Sequence, residues 1–133
     1  MLRKQISALP PWLLTALTLA LILWLTLSPD PLGDDAPRLF PGADKVVHAL
    51  MFGFLTVMML LDRQRRRGWK VLPPVAVWCA ALLSASVGIA IEFAQRAMEM
   101  GRGFEVADMA ADAAGACICA VMWLLLQRRW TKP

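Results

Sequence analysis

Three groups of residues in this chain combine ionisable side chains at helical spacing with long apolar flanks. The first is Asp44-Lys45-x-x-His48, the second Glu92-x-x-Gln95-Arg96, and the third Arg102-x-x-Glu105-x-x-Asp108-x-x-x-Asp112. His48 is the only histidine. Beside carboxylates it could act as a general acid or base, carry a proton, or ligate a metal. One histidine and several carboxylates suit a divalent ion chemically, but the spacing has no dedicated metal signature. The reading therefore includes no metal and no cofactor. Taken alone, such a histidine is more often a structural hydrogen-bonding residue. An ionisable side chain at the centre of a spanning helix costs roughly 2.5–3.5 kcal/mol, so several retained at the ends of apolar segments call for a role.

The elements that must position these residues are apolar. Of 133 residues, 59% are hydrophobic, and the mean hydropathy is +0.56. That is too apolar for a small soluble domain and fits an all-α, polytopic integral membrane protein of one domain, residues 1–133. Four spans are expected, at about 11–28, 46–61, 71–93 and 106–126. The second is short unless the Asp44-Lys45 turn joins it. Pro73-Pro74 fall in the first turn of the third, where proline is tolerated. The N-terminal basic residues and apolar run could form a signal peptide. The run is long for one, however, and no A-x-A-like site follows it, so it is taken as an uncleaved span.

Charge segregation gives the orientation. Arg3, Lys4, Arg63, Arg65, Arg66, Arg67, Lys70, Arg128, Arg129 and Lys132 fall on one side of a four-span arrangement. The remaining basic residues, Arg38, Lys45, Arg96 and Arg102, fall on the other with every acidic residue except Asp62. The positive-inside rule then puts both termini in the cytoplasm, and all three polar groups converge on the outer side. The Arg-rich stretch after the second span reads first as a positive-inside signal and second as a binder of anionic lipid headgroups. Trp12, Trp69 and Trp130 lie near expected inner boundaries and Trp24 near an outer one, as in an aromatic belt. Cys79, Cys117 and Cys119 read as small packing residues.

Spacing also gives each helix one polar stripe. Asp44 and His48 are four apart, Glu92 and Gln95 three apart, and Glu105, Asp108 and Asp112 continue on one face to Gly115. Such stripes face a bundle interior. Small residues on the third span (Ala80, Ala81, Ala85, Gly88) and the fourth (Ala107, Ala111, Gly115, Ala116) permit close approach, which would bring Glu92 near Asp108 and Asp112. Asp112 lies about 9 Å along its helix. Buried there, it needs a cation, a proton or a hydrogen-bond partner; Lys45, His48, Arg96 and Arg102 are the available cations.

At these residues the chain resembles the VanZ-like family. That family has D-K-x-x-H opening one span, E-x-x-Q ending the next, and R-x-x-S-x-x-D-x-x-x-N-x-x-G entering the last. Here the matching residues are Asp44, Lys45 and His48, then Glu92 and Gln95, then Arg102, Asp108 and Gly115, with Phe52 one turn after His48. Two positions depart: Asp112 replaces the usual Asn and Glu105 the frequent Ser. The resemblance implies a small four-helix membrane protein of the cell envelope. The family is named for a member conferring resistance to the lipoglycopeptide teicoplanin.

The candidate site is thus Asp44, Lys45, His48, Glu92, Gln95, Arg102, Asp108 and Asp112, facing outward in the plasma membrane. Its expected partners are the lipid bilayer and a lipid-linked envelope precursor or a lipoglycopeptide, with no nucleic acid. Three functions compete. The site binds a polar headgroup or braces the helices; it is an intramembrane enzyme with His48 as acid/base; or it is a proton-coupled carrier. The enzyme reading has no Ser or Cys nucleophile beside His48. The carrier reading asks four short helices to support alternating access. Binding is preferred.

Overall fold

The computed structural model describes residues 2–28, 40–98 and 104–130. These residues form helices and no strands. The helices are α1 (Leu2–Ser7), α2 (Leu13–Leu27), α3 (Ala43–Arg66), α4 (Pro74–Ala97) and α5 (Val106–Trp130). Three of them, α3, α4 and α5, are long and apolar enough to cross a membrane. At 15 residues, α2 reaches about 22 Å and is shorter than the expected first span.

Long-range hydrogen bonds fix the helix directions. Thr15, near the start of α2, bonds Asp62, near the end of α3. Gln95, near the end of α4, bonds the carbonyl of Thr26 at the end of α2. Gln127, near the end of α5, bonds Leu72 just before α4. Hence α3 and α5 run one way while α2 and α4 run the other. One end of the bundle gathers the starts of α3 and α5 with the ends of α2 and α4. The opposite end gathers α1, the starts of α2 and α4, and the ends of α3 and α5.

Helix boundaries follow local chemistry. The Asp44-Lys45 pair does join the second apolar segment: α3 begins at Ala43 after Gly42, whose φ of +83° suits a residue without a Cβ. The helix also runs through Asp62 to Arg66, so Arg63, Arg65 and Arg66 belong to its last turn, not to a loop as the charge pattern suggested. It ends in a Schellman arrangement. The Trp69 amide donates to the Gln64 carbonyl at 2.9 Å and the Gly68 amide to Arg65 at 3.1 Å, with Gly68 at φ +67°. Pro74 takes the first position of α4, where its missing N–H costs nothing.

Two apolar clusters fill the interior. Leu60, Leu72, Val77, Ala80, Ala81, Ala116, Ala120 and Trp123 pack toward the α1 end. Ile22, Phe52, Leu55 and Ile91 pack toward the other. Outward faces carry exposed Leu21, Leu50, Leu82 and Leu125, as bilayer-facing surfaces do. The tightest approach is between α3 and α5. A Cβ on Gly115 would collide with the Ala49 backbone of α3, so Gly115 lets the two helices touch backbone to backbone. The small residues of α4 and α5 do bring these two helices together, and α5 packs still more extensively on α3.

Candidate functional site

The starts of α3 and α5 and the end of α4 bring six of the expected residues together, Asp44, Lys45, His48, Glu92, Asp108 and Asp112. Lys45 is the hub. Its Nζ lies 2.6 Å from Asp44 Oδ2 and 2.7 Å from Asp108 Oδ1, and it also pairs with Glu105. Asp44 and Glu105 sit at the exposed rim, while Asp108 is turned inward. Asp108 occupies the first turn of α5, where a helix favours a negative charge.

One turn deeper, His48 meets Asp112. His48 Nδ1 lies 2.9 Å from Asp112 Oδ1, and Asp112 is only 1% exposed. With Asp112 ionised, the carboxylate can only accept, so the shared proton sits on Nδ1, and Nε2 carries a lone pair when the ring is neutral. Nε2 lies 3.8 Å from Asp108 Oδ2. Phe52, fully buried one turn along α3, stacks on the imidazole at a centroid distance of 6.5 Å. Asp112 Oδ2 is buried without a hydrogen-bond partner and lies against Gly88 of α4. A side chain at position 88 would occupy the space this carboxylate uses.

Glu92 enters from α4, one turn from Gly88, and is 1% exposed. Its Oε2 accepts the Glu105 amide at 3.1 Å, tying the end of α4 to the start of α5. Ligand atoms of His48, Glu92 and Asp108 all lie within 4.8 Å of one another, as do those of Asp44, Glu105 and Asp108. Either trio could hold a divalent ion. The charge balance favours added positive charge: five carboxylates, Asp44, Glu92, Glu105, Asp108 and Asp112, surround Lys45 and His48. An excess of carboxylates of that kind attracts a cation.

Two expected members stand apart. Gln95 is buried, but its amide donates to the Thr26 carbonyl at 2.8 Å and so braces α2 against α4. It lies one turn past Glu92 in sequence, and the spacing could not tell a ligand-facing amide from a helix brace. Arg102 lies outside the described residues. Arg96 is exposed, with its guanidinium 5.4 Å from the Phe104 ring centroid, and takes no part in the cluster.

The chain matches the family model described as VanZ/LLP1 over residues 8–127. It belongs to the VanZ/LLP1 family. The expected resemblance is thereby borne out over most of the chain, and the residues that suggested it lie within the matched stretch. No curated protein and no solved structure matches it. In this VanZ/LLP1 chain, Asp112 in place of Asn sets a carboxylate against His48 Nδ1. Glu105 in place of Ser gives Lys45 a third carboxylate.

The sequence reading missed a second buried polar network, at the opposite end. Asp62 is fully buried, and its Oδ1 lies 2.7 Å from Arg65 Nε and 2.6 Å from Nη2. Its Oδ2 accepts both the amide and the hydroxyl of Thr15. Arg65 also donates to the carbonyls of Ile6, Leu9 and Pro10. All three guanidinium nitrogens have acceptors, which fits a buried arginine. Asp62 and Arg65 are three apart inside a helix, and that spacing is the signal that could have revealed the pair. Nearby, Gln127 reaches the Leu72 backbone with both ends of its amide, at 2.9 and 3.1 Å. These contacts lock the helix ends together.

Proposed function

We propose that this VanZ/LLP1 protein is a four-span plasma-membrane protein, a single domain with both termini cytoplasmic. Its carboxylate-rich site faces outward and holds the polar head of a lipid-linked ligand in the outer leaflet. The role that follows is in cell-envelope lipid handling or teicoplanin-type resistance. The observation that carries this reading is an apolar cavity on the same two helices, α3 and α5, that present most of the polar site. A cavity of about 590 Å³ between α3 and α5 is lined by residues including Ala49, Leu50, Gly53, Phe54, Gly115 and Ile118. Ala49 follows His48, and Gly115 lies one turn beyond Asp112. A ligand with its head among Lys45, His48, Glu92, Asp108 and Asp112 would therefore have a lipid-side channel for its chain. The carboxylate excess supports a head that brings positive charge, either as an amine or with a bound cation. The level at which Thr15 and Thr26 of α2 pair with the other helices supports counting α2 as a span.

An enzyme reading has its own support in the His48–Asp112 pair, which leaves Nε2 facing Asp108 and Glu92. In that role His48 is the acid/base and Asp112 fixes its tautomer. Cells carrying His48→Ala or Asp108→Asn separate a functional from a bracing site. Both variants should insert normally, as read by membrane fractionation, and lose the envelope or resistance phenotype. Wild-type behaviour in both would leave the cluster with a purely structural role. Native mass spectrometry of the full chain should show a co-purifying lipid lost in Phe54→Trp, which fills the groove, with the polar cluster unchanged. Release of a modified lipid product by wild type but not by His48→Ala would favour the enzyme.

A further inference from the structure

At the end of the bundle opposite the carboxylate site, Trp12, Arg63, Arg66 and Arg67 line a cavity of about 360 Å³. All four are exposed. The only acidic residue described at this end, Asp62, is buried and committed to Arg65 and Thr15. Among the described residues, Arg63, Arg66 and Arg67 make no ion pair. Arg66 instead lies over the Trp12 ring, 4.9 Å from its centroid, which holds one guanidinium plane against an aromatic wall. Arg63 and Arg66 stand three apart in the last turn of α3 and Arg67 caps that turn, so their like charges crowd one place.

A topology signal requires only that basic residues be on this side. It requires neither a cavity nor an aromatic wall. Arg128 and Arg129, at the same end on α5, meet the topological need and do not line the cavity. We propose that Trp12, Arg63, Arg66 and Arg67 form a binding site for a phosphate-bearing anion of the class presented by an anionic phospholipid headgroup. Guanidinium forks match phosphate oxygens and need a partner without competing carboxylates. The size suits a phosphoester head, since ligand cavities begin near about 300 Å³. The tryptophan places the site at interfacial depth, where headgroup phosphates lie. This site is independent of the outward-facing one.

The test uses the full chain in detergent, with native mass spectrometry after exposure to equal phosphatidylglycerol and phosphatidylcholine. Wild type should retain phosphatidylglycerol about tenfold over phosphatidylcholine. The R63Q/R66Q/R67Q variant should lose that preference. The K70Q/R128Q/R129Q variant removes the same charge at the same end and should keep it. Trp12→Leu, with every arginine intact, should weaken retention at least about threefold. It guards against misfolding of the triple variant, whose size-exclusion profile is compared with wild type. Millimolar glycerol 3-phosphate distinguishes the sources: displacement of the lipid assigns the site to a soluble phosphoester, and no displacement assigns it to the lipid. Equal losses in the two triple variants, or no preference in wild type, overturn the proposal in favour of diffuse surface charge.

Discussion

Gly115→Ala tests whether the closeness of α3 and α5 builds the deep part of the site. An alanine Cβ would stand 2.6 Å from the Ala49 carbonyl carbon and 2.8 Å from Ala49 Cα, where ordinary contact is 3.4–4 Å. The obstacle is backbone on both sides, so no rotamer change relieves it. The helices must separate locally by about 1 Å to restore contact. Asp112 is three residues before Gly115, and His48 adjoins Ala49, so the same separation falls on their bond. At 2.9 Å, that bond would lengthen to about 3.9 Å and cease to be a hydrogen bond. Overpacking costs about 1–3 kcal/mol, and a buried polar group losing its partner costs a further ~1–3 kcal/mol. The variant should therefore lose about 2–5 kcal/mol in a reversible denaturant titration of the purified protein in micelles. Gly53→Ala is the matched control. Its Cβ would meet Cys119 Sγ at 2.9 Å, a side chain that can turn aside, and the Gly115 carbonyl oxygen at 3.1 Å, which needs a shift of only a few tenths of an ångström, so its cost should stay near about 1 kcal/mol, below that of Gly115→Ala. A Gly115→Ala protein as stable as wild type, or equal losses in the two variants, would refute the argument.

The buried pair at the other end makes a sharper stability prediction. Arg65→Ala leaves Asp62 buried and uncompensated and should cost about 3–5 kcal/mol in the same titration. Arg65→Lys should recover only part of this, because an ammonium cannot reach Asp62 and the Ile6, Leu9 and Pro10 carbonyls together. Gln127→Leu leaves two backbone groups of Leu72 unpaired and should cost about 1–3 kcal/mol, with no change in membrane insertion. For orientation, Asp35→Cys in a background lacking native cysteines should react with an impermeant thiol reagent added outside intact cells, and Arg66→Cys should not. The reverse pattern sinks the proposed topology.

Composition and hydropathy alone determined that the chain is helical and apolar enough for a bilayer, because helix periodicity and span length are one-dimensional properties. Charge segregation determined which residues share an end, and there Asp44, Lys45, His48, Glu92, Asp108 and Asp112 do meet. Spacing could name the polar face of a helix but not the partner it finds. Only the packing decided that Asp112 pairs with His48 and Lys45 with three carboxylates, that Gln95 braces Thr26, and that α5 presses on α3 through Gly115. It also sorted five basic residues that look alike in sequence. Arg65 is drawn inside by Asp62, which leaves Arg63, Arg66 and Arg67 facing Trp12, and Lys70 stands beyond the turn. The reason is physical. Whether a polar side chain is a ligand, a brace or a solvated charge depends on what lies within about 3 Å of it, and that neighbour comes from another helix dozens of residues away.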